Sequence, residues 1–471
     1  MPRLIRDRTT WLTYAQLGLW GFFLYGFGPV VPLLRDEQGT SAAVAGLHST
    51  GIAVGAILGG ALFAPAARRL GRGPATWLGL AGVAAGVTAL GLLRPLPATL
   101  AAVAVIATFG MMVISGVSVL LTAHHGPTAP AALTEANAVC AGMGILAPLV
   151  IGATVDAGLG WRPAMAVEVG LIALVALAAL TFRVRLPQGA PADAAAADPA
   201  GATAPAAVDP VAVTASADAG VTASAAGVAL VDPAPASVTA SAADVALVVP
   251  GPAAPDGHAG DRAATRRLPR AYWIAWVLMS VTGSIEVCLS LWTADVLRTH
   301  SGLRSGGASA AVAAIVCGMF IGRAAGGRLA LRWPPVPLLL AALTVSLVGF
   351  VVFWSAPAGW LAVTGLVVLG LGNALHYPLA LSIALAAAGP AADKAAGWSS
   401  YSMGVGFGIA PVALGWVADG VGPHLAFLLL PGFIAAAVLL TLRLGRALHA
   451  PAATPPTGPR QRLLIDSTSP T

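Results

Sequence analysis

The chain has 471 residues, of which 57% are hydrophobic and 9% charged, and its mean hydropathy is +0.84. A soluble protein of this length and composition would lack the polar surface needed to face water, which excludes a soluble domain and indicates an all-α polytopic membrane protein. The net charge of +6 is explained by basic residues that flank the apolar segments, and we predict no binding of nucleic acid.

Twelve apolar segments occur in two groups of six, separated by one hydrophilic stretch. A transmembrane helix needs about 20 apolar residues, and each segment meets this length. The first group is predicted near residues 11–34, 42–64, 75–95, 99–122, 133–156 and 161–182. The second group is predicted near residues 271–297, 305–331, 335–355, 358–386, 396–419 and 424–447. The first segment is interpreted as a retained helix, because no signal-peptide cleavage pattern accompanies it.

The basic residues are distributed unequally between the two sides of the membrane. With the N-terminus inside, twenty of the 25 Lys and Arg residues lie on the cytoplasmic side. The outer side has Arg35, Arg94, Arg162, Arg298 and Arg304. This positive-inside asymmetry predicts a multi-pass protein of the cytoplasmic membrane, with both termini and the central loop in the cytoplasm.

The hydrophilic stretch at residues 186–269 is predicted to be a disordered cytoplasmic linker. It is rich in Ala, Pro, Val, Ser and Asp and includes three copies of Val-Thr-Ala-Ser-Ala. A low-complexity segment of this kind cannot bury enough apolar surface to fold alone. The predicted domains are therefore an N-terminal six-helix bundle at 1–185, a C-terminal six-helix bundle at 270–449 and a cytoplasmic tail at 450–471.

The two groups of helices show traces of an internal repeat. The pattern Ala-Pro-x-x-x-Gly-x-x-x-Asp begins at Ala147 and again at Ala410, an offset of 263 residues, and it ends the fifth helix of each group. Six helices return the chain to its starting side, so the second group can repeat the first in parallel orientation. We assign Pro148 and Pro411, which belong to this pattern, to conformational change.

The loop between the second and third segments, residues 64–72, resembles the Gly-x-x-x-Asp-Arg-x-Gly-Arg signature of the major facilitator superfamily. The similarity lies in Arg69, Gly71 and Arg72, whereas Ala64 stands where the family has Gly and Arg68 where it has Asp. In the family that Asp helps to latch the cytoplasmic gate, and this chain departs from the pattern there. The resemblance implies twelve helices in two six-helix bundles that transport a solute by alternating access.

Three further stretches resemble branches of the same superfamily. Residues 318–323 and 370–378 look like the eighth and tenth helices of solute permeases, the fucose-permease-like branch among them. Residues 144–152 partly match the glycine-proline motif of drug–proton antiporters, but Ala147 and Ile151 stand at glycine positions. The direction of transport therefore stays open between efflux of a drug or metabolite and uptake of a sugar-like solute.

The family fold would place helices one, four, seven and ten around a central cavity, and these four segments have polar residues at helical spacing. The predicted substrate- and proton-binding residues are Tyr25, Ser115, Thr282, Glu286, Ser290, Asn373, His376 and Tyr377. A single hydroxyl in a membrane helix equally often bonds the carbonyl one turn back, which is the alternative for each Ser and Thr.

Glu286 stands apart because it lies near the middle of the seventh segment. A charged carboxylate at this depth costs at least about 3 kcal/mol unless it is paired or protonated. We predict that it carries a proton, with binding of a cationic substrate and a permanently protonated structural role as alternatives. His376, on another helix of the cavity, is either a second proton site or a structural histidine.

Seven residues are assigned to gating or conformational change. They are Arg69, Gly71, Arg72, Glu135, Pro148, Arg323 and Pro411. Glu135 begins the fifth helix, where an acid also favours a helix N-terminus, and Arg323 has the alternative of reaching lipid headgroups.

Rival functions lack their motifs. A nucleotide motor needs Gly-x-x-x-x-Gly-Lys-Ser/Thr, yet the chain has one lysine, Lys394, in Ala-Ala-Asp-Lys-Ala. Neither His-Glu-x-x-His nor Gly-x-Ser-x-Gly is present, so no enzyme, metal or cofactor is predicted. We predict a monomeric, proton-coupled secondary transporter of a small organic substrate in a lipid bilayer. Facilitated diffusion and a non-transporting sensor or scaffold are the alternatives.

Overall fold

A computed structural model describes residues 4–184, 268–330 and 332–449. The predicted linker, apart from residues 268–269, and the predicted C-terminal tail lie outside these residues. Within the described ranges, twelve helices are long and apolar enough to cross a membrane, which confirms the predicted number of spans.

The first six helices form the N-terminal half. They are α1 (Arg8–Gln38), α2 (Ala42–Leu70), α3 (Arg72–Leu92), α4 (Leu96–His125), α5 (Ala129–Asp156) and α6 (Arg162–Thr181). Helices α1, α2, α4 and α5 extend beyond the predicted apolar segments, in part because capping groups add residues at the ends, whereas α3 is shifted by three residues and α6 lies within its segment. Asp7, for example, accepts the backbone N–H of Thr10 at 2.8 Å, and Gly39 ends α1 at φ +62°.

The last six helices form the C-terminal half, and two of them are interrupted. They are α7 (Arg270–His300), α8 (Ser305–Ala311 and Ala313–Ala330), α9 (Pro335–Trp354), α10 (Gly359–Asn373 and His376–Ala388), α11 (Ala392–Val421) and α12 (Leu429–His449). Pro378 has no N–H to bond the carbonyl of Ala374, which explains why α10 breaks just before His376.

The internal repeat is visible in the backbone. A 3₁₀ turn at Gly126–Thr128 joins α4 to α5, and another at Gly389–Ala391 joins α10 to α11, at the same offset of 263 residues found in the sequence. Each turn begins with a glycine at positive φ, +50° at Gly126 and +53° at Gly389. The two halves therefore share the conformation of this connection as well as the order of their helices.

Burial separates four helices from the other eight. In the apolar windows of α1, α4, α7 and α10, 61–89% of the residues are buried, against 28–50% in the remaining helices. Large apolar side chains such as Leu180, Trp360 and Trp416 are instead exposed around the outside, where hydrocarbon would cover them. The four helices that the family resemblance placed at the centre are thus the central ones.

Candidate functional site

Each end of the helix bundle is identified by a glycine at which one helix turns into the next. The Gly39 end is where α1 turns into α2, and the Gly71 end is where α2 turns into α3. Odd-numbered helices of both halves run from the Gly71 end to the Gly39 end, and even-numbered helices run back.

A cluster of Tyr25, Glu286 and Arg323 lies at the centre of the molecule, and we call it the central cluster. Tyr25 belongs to α1, Glu286 to α7 and Arg323 to α8, so the cluster joins the two halves. The guanidinium of Arg323 lies beside the Tyr25 hydroxyl, and both groups lie within electrostatic range of Glu286. The ring of Tyr25 packs against Gly144 of α5, where a Cβ atom would lie 2.3 Å from the ring carbon Cδ2. Only glycine leaves room for this ring.

Glu286 occupies the middle of α7 and remains partly exposed although it lies deep within the protein. Its carboxyl group forms no hydrogen bond or ion pair with the side chains that the structure describes, and its nearest charge is the guanidinium of Arg323. In particular, no bond joins Glu286 to His376. A carboxyl group without such a partner at this depth is a candidate for carrying a proton.

Arg323 reaches the central cluster because of the direction of its helix. α8 starts at the Gly39 end, and side chains in an α-helix tilt towards the N-terminus. The guanidinium consequently points back from the part of α8 nearer the Gly71 end towards the centre, where it lies beside Tyr25. The side chain of Arg323 is therefore directed towards the centre of the molecule and does not extend towards lipid headgroups.

The other predicted residues of α4 and α7 occupy less central places. Thr282 is buried and donates to the carbonyl of Met279 at 3.0 Å, which is the packing alternative. The Ser115 hydroxyl is buried without a hydrogen-bond partner among the described residues. Ser290 lies where α7 crosses α1 of the other half, and a Cβ atom on Gly28 would lie 2.5 Å from its Oγ.

The predicted residues of α10 are buried around the break in that helix. His376 Nε2 lies 3.1 Å from Oγ of Ser346 on α9, so the ring faces α9 and away from the central cluster. The amide of Asn373 lies 3.9 Å from the sulfur of Met319 on α8. Tyr377 is 2% exposed. The structure thus brings Tyr25, Glu286 and Arg323 together but does not add His376 to them.

An ion-pair network closes the Gly39 end between α1 and α7. The fully buried carboxylate of Asp295 accepts from Arg35 of the other half at 2.6 and 3.1 Å and from Arg298 at 2.9 Å. Asp36, which is exposed, pairs with the same two arginines. The sequence predicts no role for these residues beyond the charge asymmetry that includes the two arginines, because each lies near a helix end, where a charge is common.

Polar contacts also join α2 to α11 across the two halves. Pro411 has no N–H for the carbonyl of Phe407, and the hydroxyl of Ser49 donates to that carbonyl at 2.5 Å. The hydroxyl of Thr50 donates to the neighbouring carbonyl of Gly408 at 2.7 Å. Pro411 therefore leaves the carbonyl of Phe407 without its usual helical donor, and Ser49 of the opposite half bonds to it instead.

Asp419, the aspartate of the same repeat, lies where the contact between α2 and α11 reaches the Gly39 end. Asp419 accepts the backbone N–H groups of Ala42 at 2.7 Å and Ala43 at 3.0 Å, at the N-terminus of α2. Gly415 allows the approach, since a Cβ atom there would lie 2.5 Å from the carbonyl oxygen of Ala42. Its repeat partner, Asp156, lies against Gly306 of α8 without a hydrogen bond among the described residues. Both repeats thus place their aspartate on the opposite half.

Asp419→Asn is expected to loosen the Gly39 end, because the amide keeps the size of the carboxylate but loses its charge beside the positive end of the α2 dipole. A carboxylate at a helix N-terminus contributes about 0.3–1 kcal/mol, so the population open at this end should rise about two- to fivefold. Spin labels at Leu93→Cys and Trp360→Cys, one in each half, would report the opening as a longer distance. Asp156→Asn is the matched control and should change the distances less; an equal change would contradict the assignment.

The residues at the Gly71 end that are assigned to gating make contacts within the N-terminal half. Gly71, at φ +91°, ends α2 and starts α3, a backbone conformation that favours glycine. Arg69 is exposed, and the carbonyl of Arg72 accepts the hydroxyl of Thr76 at 2.8 Å. Glu135 pairs with Arg6 at 2.5 Å and accepts from Tyr14 at 3.1 Å, all within the N-terminal half.

Two related six-helix halves with charged groups enclosed between them define a membrane transport protein. The family model of the major facilitator superfamily matches residues 15–394 and 297–467, and the chain belongs to that superfamily. A search of the curated proteins finds no significant match.

Solved structures with a similar fold are transporters of the same architecture. A bacterial homolog of the human lysosomal transporter Spinster, inward-facing and unoccupied, has a TM-score of 0.66 at 14% identity, covering 95% of this chain and 98% of that chain. The nucleoside transporter NupG has a TM-score of 0.64 at 12% identity, with 94% and 98% covered. The transporter FucP in an outward conformation has a TM-score of 0.51 at 15% identity, with 92% and 98% covered. At these identities the similarity is one of fold.

Proposed function

We propose that this protein is a secondary transporter that moves a small organic solute across the cytoplasmic membrane by alternating access, coupled to protons through Glu286. The observation that supports the proposal is the position of Glu286, a partly exposed residue at the centre of α7 whose carboxyl group forms no hydrogen bond or ion pair with the side chains that the structure describes. The network around Asp295 closes the Gly39 end, and we therefore expect water and protons to reach Glu286 from the Gly71 end. Opening the Gly39 end instead would present the same carboxyl to the other side.

Arg323 favours the proton over the alternative of a cationic substrate at Glu286. Its guanidinium lies within electrostatic range of the carboxyl, and it would repel a second cation in this low-dielectric setting. A proton neutralises the carboxyl without bringing a bulky charged group beside Arg323. We therefore assign Glu286 to proton loading, Tyr25 and Arg323 to the solute site, and the contacts at the Gly39 end to the gate.

The test is transport by the purified chain in proteoliposomes with an imposed pH gradient and a pH-sensitive dye inside. A coupled transporter accumulates solute against its gradient and moves protons when solute is added. Facilitated diffusion would equilibrate the solute without regard to pH, and a sensor or scaffold would give no flux. The direction of the gradient that drives accumulation distinguishes uptake from efflux.

The orientation of the chain is a separate proposal that rests on its arginine distribution, with the Gly71 end and both termini in the cytoplasm. Leu93 at the Gly39 end and Leu70 at the Gly71 end are both exposed leucines, at 39% and 53%. An impermeant maleimide should label Leu93→Cys in intact cells but Leu70→Cys only after permeabilisation. The unsubstituted chain, with Cys140, Cys288 and Cys317, sets the background. Labelling in the reverse order would invert the topology.

A further inference from the structure

The arginines at the two ends of the bundle differ in whether a carboxylate faces them. At the Gly39 end, four of the five arginines form salt bridges, namely Arg35, Arg94, Arg162 and Arg298. At the Gly71 end, Arg6 alone has a carboxylate partner among the arginines whose side chains the structure describes. The others there form no ion pair or side-chain hydrogen bond with described residues: Arg8, Arg68, Arg69, Arg72, Arg183, Arg270, Arg332, Arg443 and Arg446. The Gly71 end therefore presents positive charge without an internal counter-charge.

Three of these arginines lie together where α2 turns into α3. Arg68 and Arg69 belong to the last turn of α2, and Arg72 begins α3 directly after the turn. Arg68 and Arg69 are exposed, and the neighbouring Leu70 is 53% exposed. Like charges this close repel one another unless an anion lies between them. An exposed leucine beside arginines is typical of a helix end where hydrocarbon meets the lipid headgroups.

The same arrangement recurs in the other half. At the repeat offset of 263 residues, Arg69 and Leu70 correspond to Arg332 and Trp333, which lie between α8 and α9. Arg332 is exposed, and Trp333 is 56% exposed. Tryptophan is enriched at the level of the headgroups, where its ring meets both hydrocarbon and water. Each half thus presents an arginine without a partner, followed by an exposed apolar side chain, at an equivalent turn.

We propose that these two turns bind the phosphate groups of anionic lipids in the leaflet at the Gly71 end. We call them the arginine corners: Arg68, Arg69, Leu70 and Arg72 in the N-terminal half, and Arg332 and Trp333 in the C-terminal half. A guanidinium presents its N–H donors in a planar fork that matches the oxygens of a phosphate. The exposed apolar side chains contact the adjoining acyl chains. The lipid supplies the negative charge that the described carboxylates do not supply at these turns.

The chain itself offers a second acidic occupant for the arginine corners. Residues 186–261 have eight aspartates and no lysine or arginine, and they connect α6 to α7 at the Gly71 end. The exposed side chains of Leu70 and Trp333 favour the lipid, because an aspartate-rich segment offers charge but no acyl chain to cover them. Headgroups are also present at both corners at once, since each corner lies at the surface of the bilayer.

The experiment compares two lipids with the same acyl chains. The purified full chain in dodecyl maltoside micelles receives dioleoylphosphatidylglycerol or dioleoylphosphatidylcholine, and thermal stabilisation is measured against the fraction of lipid. Because each arginine near an anionic surface contributes about fivefold to binding, the phosphatidylglycerol should act at a lipid fraction at least about tenfold lower. High salt should reduce this preference, since it screens exposed charges. Equal action of the two lipids, or equal stabilisation by inorganic phosphate, would overturn the proposal.

Two double variants test the residues with equal changes of charge at the same end. Arg69→Gln with Arg332→Gln removes one arginine from each corner, and the preference for phosphatidylglycerol should fall at least about tenfold. Arg443→Gln with Arg446→Gln removes two exposed arginines of α12 and is the matched control, which should keep most of the preference. Equal losses in the two double variants would show a diffuse attraction to charge and refute the corners.

Deleting residues 190–261 distinguishes the two occupants. The preference for phosphatidylglycerol should be the same with and without this segment, since the lipid holds the corners in the full chain. A preference that appears only after the deletion would assign the corners to the acidic segment and overturn the proposal. Glu286→Gln should keep the full preference, so the result for the lipid is independent of proton coupling.

Discussion

Glu286→Gln is expected to abolish accumulation driven by a pH gradient while exchange of solute across the membrane stays measurable. The amide resembles the protonated carboxyl in size and charge, so the variant mimics a transporter that is permanently loaded with its proton. Exchange requires the loaded protein to change sides but not to release the proton, whereas net accumulation requires that release. Accumulation and counterflow of labelled solute in proteoliposomes measure the two processes separately.

The other interpretations of Glu286 predict different outcomes for the same variant. A cationic substrate bound by the carboxylate would lose affinity, because its compensating charge is removed. A structural glutamate would be replaced with little effect, since the amide preserves its size and much of its hydrogen-bonding capacity. Undiminished proton-driven accumulation by Glu286→Gln would refute the coupling role.

Glu168→Gln is the matched control for this experiment. Glu168 is also an intramembrane glutamate, on α6, but it is fully buried, and neither carboxyl oxygen has a hydrogen-bond partner among the described residues. Because no solvent reaches it, a proton on Glu168 cannot exchange as the gate moves. We expect the variant to accumulate solute normally, and loss of coupling there would move the proton site to α6.

Asp295→Asn is expected to open the Gly39 end. Its carboxylate is fully buried and joins Arg35 of the N-terminal half to Arg298 of the C-terminal half, so the amide removes the buried one of the two carboxylates that these arginines share. Breaking a buried ion pair in this way costs about 3–5 kcal/mol, although partial exposure of both arginines reduces the penalty. We expect the population open at this end to rise at least about tenfold.

The labels at Leu93→Cys and Trp360→Cys measure this opening, and Asp36→Asn provides the control. Asp36 pairs with the same two arginines, but 46% of its side chain is exposed, so its pairs contribute at most about 1 kcal/mol. The control should leave the distances between labels close to those of the unsubstituted protein. Equal distance distributions in the two variants would show that the buried charge does not hold the gate.

The asymmetry between the two ends of the bundle follows from these contacts. The Gly39 end has a buried ion-pair network and the contact of Asp419 with α2, whereas the loop at the Gly71 end has Arg68 where the family has an acid. An arginine cannot form an acid-based latch to a helix N-terminus. The expected consequence is a resting protein closed at the Gly39 end, which is the state that the structure shows.

The sequence by itself determined the number of spans, the order of the two halves and the presence of a carboxyl group on a central helix. These features follow from hydropathy and from repetition, which can be read along the chain without knowing which segments touch. The repeat also pointed to Pro411 and, through its pattern, to Asp419. Helix ends were less well predicted, because caps such as Asp7 extend helices beyond their apolar segments.

Only the tertiary structure decided which polar groups meet. Arg35 and Asp295 are 260 residues apart, and Ala42 and Asp419 are 377 apart, so no local pattern could pair them. Helical periodicity also assigns a residue to a face without saying which neighbour that face contacts, and successive residues differ by about 100° around the axis. That is why His376 was placed in the cavity by its helix but faces Ser346, and why Arg323, assigned to a gate, joins Tyr25 at the centre.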